Sequence, residues 1–259
     1  MLEGQGRAQS GSDTTPSTNQ GRAWIERGGV PHGKTLKVAH RGASAYAPEN
    51  TIAAFRLAAQ LGARAIELDV QLARDQQLVV CHDADVSRTT NGSGAINDLD
   101  LATLRTFDAG YHFSHETDGT PFRGQGLRIP TLSEVFAAIP SSLLVNVEVK
   151  ATLRQPSDPT LRHLVVQTLA SWLDDCADQG YRERILLSSF DWALIDAVRE
   201  AALGVPTAYL IPPRVNLRDA LDAAAGAGHA AIHPHESLIT EQSRATLVEA
   251  RKRGIAVIV

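Results

Sequence analysis

From Leu36 onward, short runs of β-branched and aliphatic residues alternate with amphipathic stretches of helical length. This alternation constrains the fold more than any other feature, because parallel strands need a crossover and the cheapest crossover is a helix. The strand candidates are Lys37–His40, Ala65–Leu72, Leu143–Lys150, Arg184–Ser189, Pro206–Leu210, Ala230–His233 and Ile255–Val259. Helix signals fall between them. Pro48 opens a helix that runs to Leu61 and stops at Gly62, Thr131 and Glu134 have capping-box spacing, and Asp191 and Thr240 are N-cap candidates. With no internal repeat and no linker after residue 36, one α/β domain of (β/α)8 TIM-barrel type over residues 37–259 is the expectation. Residues 1–36, rich in Gly, Ser, Thr and Gln without an apolar period, are expected to be a disordered leader. Asp85–Asp98 and Asp108–Arg128 break the alternation, and loops of that length in a compact barrel are more often functional than idle.

Strands covered by helices on a barrel should be nearly continuous in Val, Ile and Leu, and two of these are not. In Ile66–Gln71 the apolar residues alternate with Glu67, Asp69 and Gln71, and in Val145–Lys150 with Asn146, Glu148 and Lys150. Strand side chains have a period of two, so each run aims its polar residues at one face. A solvent-facing strand pair would give the same pattern. If helices cover the outer face, the carboxylates point inward, where charge survives only when paired or bound to metal. Glu67, Asp69 and Glu148 then favour a hard, oxygen-ligated cation, Mg²⁺ or Ca²⁺, over zinc. The segment from Gln71 to Asp83 is too short for a crossover and is expected to fold as a hairpin about Arg74-Asp75, setting His82 opposite Glu67 and turning Cys81 away into packing.

His40 and Arg41 end the first strand, and Glu148 and Lys150 the third, which is the end where such barrels carry their active sites. Arg41 and Lys150 provide local positive charge that the chain as a whole lacks, with 25 Lys plus Arg against 29 Asp plus Glu. That balance excludes a global field for nucleic acid or an anionic membrane. Two cysteines form no disulfide framework, and no apolar run reaches the roughly 18 residues of a membrane span, so a cytoplasmic protein without a membrane anchor is the default expectation. Nothing in the pattern sets the oligomeric state.

Together, His40-Arg41-Gly42 with Pro48-Glu49-Asn50-Thr51, Glu67-Leu68-Asp69-Val70, Val79-Val80-Cys81-His82-Asp83 and Glu148-Val149-Lys150 resemble the glycerophosphodiester phosphodiesterase family of the phospholipase C-like phosphodiesterases, in the family's order. The resemblance implies hydrolysis of a small-molecule glycerophosphodiester to sn-glycerol 3-phosphate and an alcohol. It implies a divalent cation on Glu67, Asp69 and Glu148, His40 and His82 as acid–base pair, and Arg41 and Lys150 on the phosphate. It also implies supporting roles for Glu49 and Asn50, Phe190 at the pocket, and residues 85–128 as the family's insertion after strand two. Two departures stand out: Gln76 where the hairpin usually has Gly, and His233-Pro234-His235 where Asn-Pro-His is more usual. The alternatives are a phosphodiesterase of the same superfamily acting on an intact lysophospholipid or sphingolipid, and a non-catalytic barrel fragment. The last candidate strand is the seventh and ends at Val259, so the barrel is expected to be C-terminally incomplete.

Overall fold

The computed structural model describes residues 20–28, 35–114, 119–150 and 158–259. Its core is a single sheet in which seven strands run parallel in chain order: β1 (Val38–Ala39), β2 (Ala65–Leu72), β4 (Leu144–Val149), β5 (Ile185–Ser189), β6 (Thr207–Ile211), β7 (Ala231–Pro234) and β8 (Ala256–Val257). An eighth, β3 (Leu78–Val80), pairs antiparallel with β2. The connecting helices are α2 (Ile52–Gln60), α4 (Leu132–Ala138), α5 (Pro159–Asp175), α6 (Trp192–Glu200), α7 (Leu217–Ala227) and α8 (Arg244–Lys252). Every parallel strand falls within or beside an expected run. The capping box at Thr131 and the cap at Asp191 form, whereas α2 starts later than expected, with Thr51 as its cap, and α8 is led by Ser243 rather than Thr240.

The alternation in the strands sorts residues into two faces. Leu68, Val70, Val145, Val147, Val149 and Leu187 belong to the large core shared with the helices. On the other face, Ala65, Leu144, Leu186, Ala208, Ala231 and Ala256 share one apolar cluster although they lie on six different strands, which requires the sheet to curl on itself as in a (β/α) barrel. These residues are mostly small, and the space among them is filled by Trp24, 2% exposed, whose indole nitrogen donates to the Arg184 carbonyl at 2.8 Å. Trp24 comes from α1 (Gln20–Arg27), within the stretch expected to be a structureless leader. Trp24 and Ile25 form too short an apolar signal to recognise before the barrel supplies their partner. The rest of that stretch, residues 1–19 and 29–34, lies outside the described residues.

The hairpin forms with a different register from the one expected. Val70 pairs with Val80 and Leu72 with Leu78, one residue out of the expected register, because Ala73 N–H donates to the Gln77 carbonyl at 3.0 Å and leaves three residues in the turn rather than two. Gln76 takes the left-handed conformation there, with φ 64°, the backbone state for which Gly is the usual choice. The segment from β3 to α4 contains the short helix α3 (Leu101–Leu104) and its own small core of Ala73, Val79, Cys81, Val86, Ile96, Leu104, Ala109 and Ile129. Cys81 is buried there, and burial pushes its thiol up to about 12, so it is a packing residue rather than a thiolate ligand.

Replacing Trp24 with Ala should cost about 3–5 kcal/mol in urea unfolding, the usual range for emptying a buried aromatic site. A loss within the few tenths typical of surface positions would show that α1 does not close the lower end of the sheet.

Candidate active site

Above the apolar layer the inward face becomes polar. Glu67 pairs in register with Asn146, and Asp69 with Glu148, so the two strands place their polar residues side by side. One carboxylate oxygen from each of Glu67, Asp69 and Glu148 lies within 4.8 Å of the others, and Glu67 and Asp69 are buried. The expected clustering of all three acids is therefore present. Burial, followed by the charges of Asp69 and Glu148, pushes the Glu67 carboxyl well above the usual range. Its Oε1 is buried and has no hydrogen-bond partner among the described residues. An unsatisfied buried oxygen on one of three converging carboxylates fits a hard divalent cation, which prefers anionic oxygen ligands.

The loop after β1 is anchored to these acids. Arg41 N–H donates to Glu67 Oε2 at 2.9 Å, and Asn50 Nδ2 donates to Asp69 Oδ2 at 2.8 Å. Asn50 N–H in turn donates to the Arg41 carbonyl at 3.1 Å. Both residues have positive φ, 56° for Arg41 and 58° for Asn50. Non-glycine residues held there cost of order 1–3 kcal/mol each, and they persist where surrounding contacts over-determine them. Between them Gly42, at φ 80°, presses on α2: a Cβ would come within 2.7 Å of the Ala54 carbonyl carbon. Only glycine meets both demands.

Arg41 Nη1 donates to Glu49 Oε1 at 2.9 Å, and its Nε lies 3.5 Å from Asp69 Oδ2. Lys150 Nζ lies 3.0 Å from Asp69 Oδ1 and 2.5 Å from Glu148 Oε1. His40 Nε2 is 3.8 Å from Glu67 Oε2 with its ring open to solvent. His82 does not sit opposite Glu67; the shifted register sets it one residue away. The side-chain amide of Gln71 is shared among the carbonyls of Cys81, His82 and Asp83, which curls this segment over the end of β2. The His82 Nδ1 lies 2.5 Å from Asp83 Oδ1. Phe190 is exposed at the end of β5, and His235 turns to its own loop, where its Nδ1 accepts from Ser237 N–H.

Three contributors were not anticipated from sequence: Gln71 as an organiser of the His82 segment, Asp83 as the partner of His82, and Arg88. The Arg88 guanidinium pairs with both Asp83 and Glu49, and draws the Asp83 carboxyl down to about 2. Its spacing from His82-Asp83, on a turn that Asp85 caps, was the available signal. Farther round the sheet, His233 is buried with Nε2 unpartnered among the described residues, and burial lowers its pKa to about 3.

His233 therefore predicts an acid-sensitive fold. The folded state keeps the ring neutral until pH is near 3, while the unfolded chain protonates it near 6.5. Stability should fall as pH drops below 6.5, by up to about 1.4 kcal/mol per unit from this group. Urea unfolding of wild type and His233→Asn between pH 7 and 4.5 should show a shallower loss for the variant; identical slopes would remove His233 as the cause.

The family model of the glycerophosphoryl diester phosphodiesterase family matches residues 40–259. A glycerophosphodiester phosphodiesterase of Caldanaerobacter subterraneus subsp. tengcongensis is 42% identical over 170 residues, which cover 65% of this chain and 63% of that protein. Among solved structures, an Oleispira antarctica phosphodiesterase in complex with the product sn-glycerol-3-phosphate superimposes with a TM-score of 0.69 at 28% identity, covering 85% of this chain and 81% of the other. A glycerophosphodiester phosphodiesterase from Thermotoga maritima superimposes with a TM-score of 0.66 at 25% identity, covering 88% and 87%. The matched residues span the loop after β1, the acidic strands β2 and β4 and the rest of the curled sheet: the chain belongs to the glycerophosphoryl diester phosphodiesterase family.

Proposed function

We propose that the protein is a metal-dependent hydrolase of glycerophosphodiesters, releasing sn-glycerol 3-phosphate and an alcohol. The observation that carries this reading is the convergence of Glu67, Asp69 and Glu148 with an unsatisfied Glu67 oxygen, flanked by two histidines and two cations. Charge arithmetic supports it. Three carboxylates against Arg41 and Lys150 leave a formal charge of −1; a divalent ion converts that to +1, which matches a phosphodiester monoanion. Product bound to the Oleispira antarctica relative supports the substrate class.

Glu67, Asp69 and Glu148 would hold Mg²⁺ or Ca²⁺, whose bound form polarises phosphoryl oxygens and acidifies a coordinated hydroxyl. Arg41, braced by Glu49, presents its guanidinium to the phosphoryl oxygens. Lys150 contributes a point charge beside Asp69 and Glu148. Asn50 holds the loop that carries Arg41. His40 and His82 form the acid–base pair. The contact between His82 Nδ1 and Asp83 Oδ1 orients the ring, so that Nε2 is the nitrogen turned to the reacting oxygen in this reading. Residues 85–128 act as the family insertion, and Phe190 offers an exposed ring at the rim. Among the described residues no helix is long and apolar enough to cross a membrane.

Release of glycerol 3-phosphate from glycerophosphocholine should be detectable with Mg²⁺ or Ca²⁺ and abolished by a chelator. His82→Ala should lower turnover by at least about 10²-fold. Chelator-insensitive turnover would overturn the carboxylate site, and near-normal turnover in the variant would remove His82 from the chemistry. Turnover confined to intact lysophospholipid would shift the substrate class.

A further inference from the structure

Arg88 reaches no metal carboxylate, yet it lies between two groups that serve the phosphate and the proton. Asp85 caps the turn Val86–Arg88 by accepting Ser87 N–H at 2.9 Å, and this turn sends the Arg88 side chain back toward the site. Its Nη1 and Nη2 donate to Glu49 Oε2 and Oε1 at 2.9 and 2.7 Å, a bidentate fork. Its Nε donates to Asp83 Oδ2, and its Nη2 also reaches Asp83 Oδ1 at 3.2 Å. Glu49 Oε1 is the oxygen that accepts from Arg41, and Asp83 Oδ1 is the oxygen that faces the His82 ring. One guanidinium thereby links Arg41, Glu49, Asp83 and His82 into a continuous chain.

We propose that Arg88 is a positioning residue that sets the Arg41 guanidinium and the His82 ring relative to one another, acting through Glu49 and Asp83. The inference rests on the hydrolase reading above and adds to it a device that joins the insertion to the loop after β1. Arginine is required because three nitrogens in one plane serve two carboxylates at once; a lysine is a point charge and satisfies one of them. The side chain is 48% exposed, so the ion pairs add little to global stability, and their effect falls on geometry. A cavity of about 220 Å³ beside Arg88, lined also by Ser44, Glu49, His112 and Phe113, admits a competing role in which Arg88 touches the departing alcohol.

Steady-state kinetics of the full chain on glycerophosphocholine with added Mg²⁺ separate these roles. Arg88→Ala should lower kcat about 10–100-fold, as loss of an orienting partner does, with KM within about 3-fold. Millimolar guanidinium should restore part of that turnover, Arg88→Lys should recover little, and adding Asp83→Asn to Arg88→Ala should cause less than additive loss. The melting temperature of Arg88→Ala should move by no more than about 4 °C. An unchanged kcat, a fully active Arg88→Lys, or a rise in KM alone would each overturn the positioning role, the last in favour of direct substrate contact. Wild type without turnover would overturn the hydrolase reading itself, whereas active wild type with equally active variants removes Arg88 alone.

Discussion

Three carboxylates on the inner face of a parallel sheet are the constraint around which this molecule is arranged. Taking each out of water costs several kcal/mol unless fixed partners replace the lost solvation. Part of that replacement is visible: Lys150 lies against Asp69 and Glu148, the Arg41 amide donates to Glu67, and the Asn50 amide donates to Asp69. What is left over is one Glu67 oxygen without a partner among the described residues and a carboxyl pushed upward by its neighbours. The loop after β1 accepts two left-handed non-glycine residues in order to make those contacts. Strain in the loop, the choice of glycine at position 42 and the placement of Arg41 all trace back to the same acids.

The fold divides labour along the strands. At one end, small residues and Trp24 build a dry layer that needs only volume. Farther along the strands, Glu67, Asp69 and Glu148 converge, and the neighbouring loops bring in Arg41, His40 and His82. A rigid, hydrogen-bonded sheet holds the acids, while the longer segments supply the basic side chains beside them. The segment between β3 and α4 has its own small core, which lets it carry Arg88 to the site without drawing on the main core.

The acidic cluster was legible because period two is a property of every strand: Glu67 and Asp69 share a face whatever their neighbours do, and Glu148 joins them when β4 lies beside β2. The His82 register was not, since it depends on whether a turn holds two or three residues. Gln76, a residue with no special liking for positive φ, hides the turn that Gly would have advertised. Trp24 escaped notice because its partners are six alanine- and leucine-sized side chains scattered over the whole chain. Arg88 escaped because arginines in loops are usually solvated, and its two acids, Glu49 and Asp83, become neighbours only once the loop after β1 and the hairpin meet.

Calorimetric titration of the full chain with Mg²⁺ and with Ca²⁺, alongside Glu67→Gln, tests the carboxylate constraint without reliance on turnover. Saturable binding of one ion per chain in wild type, weakened about tenfold or more in the variant, is the result the arrangement predicts. Absence of saturable binding, or equal affinity in the two proteins, would contradict it.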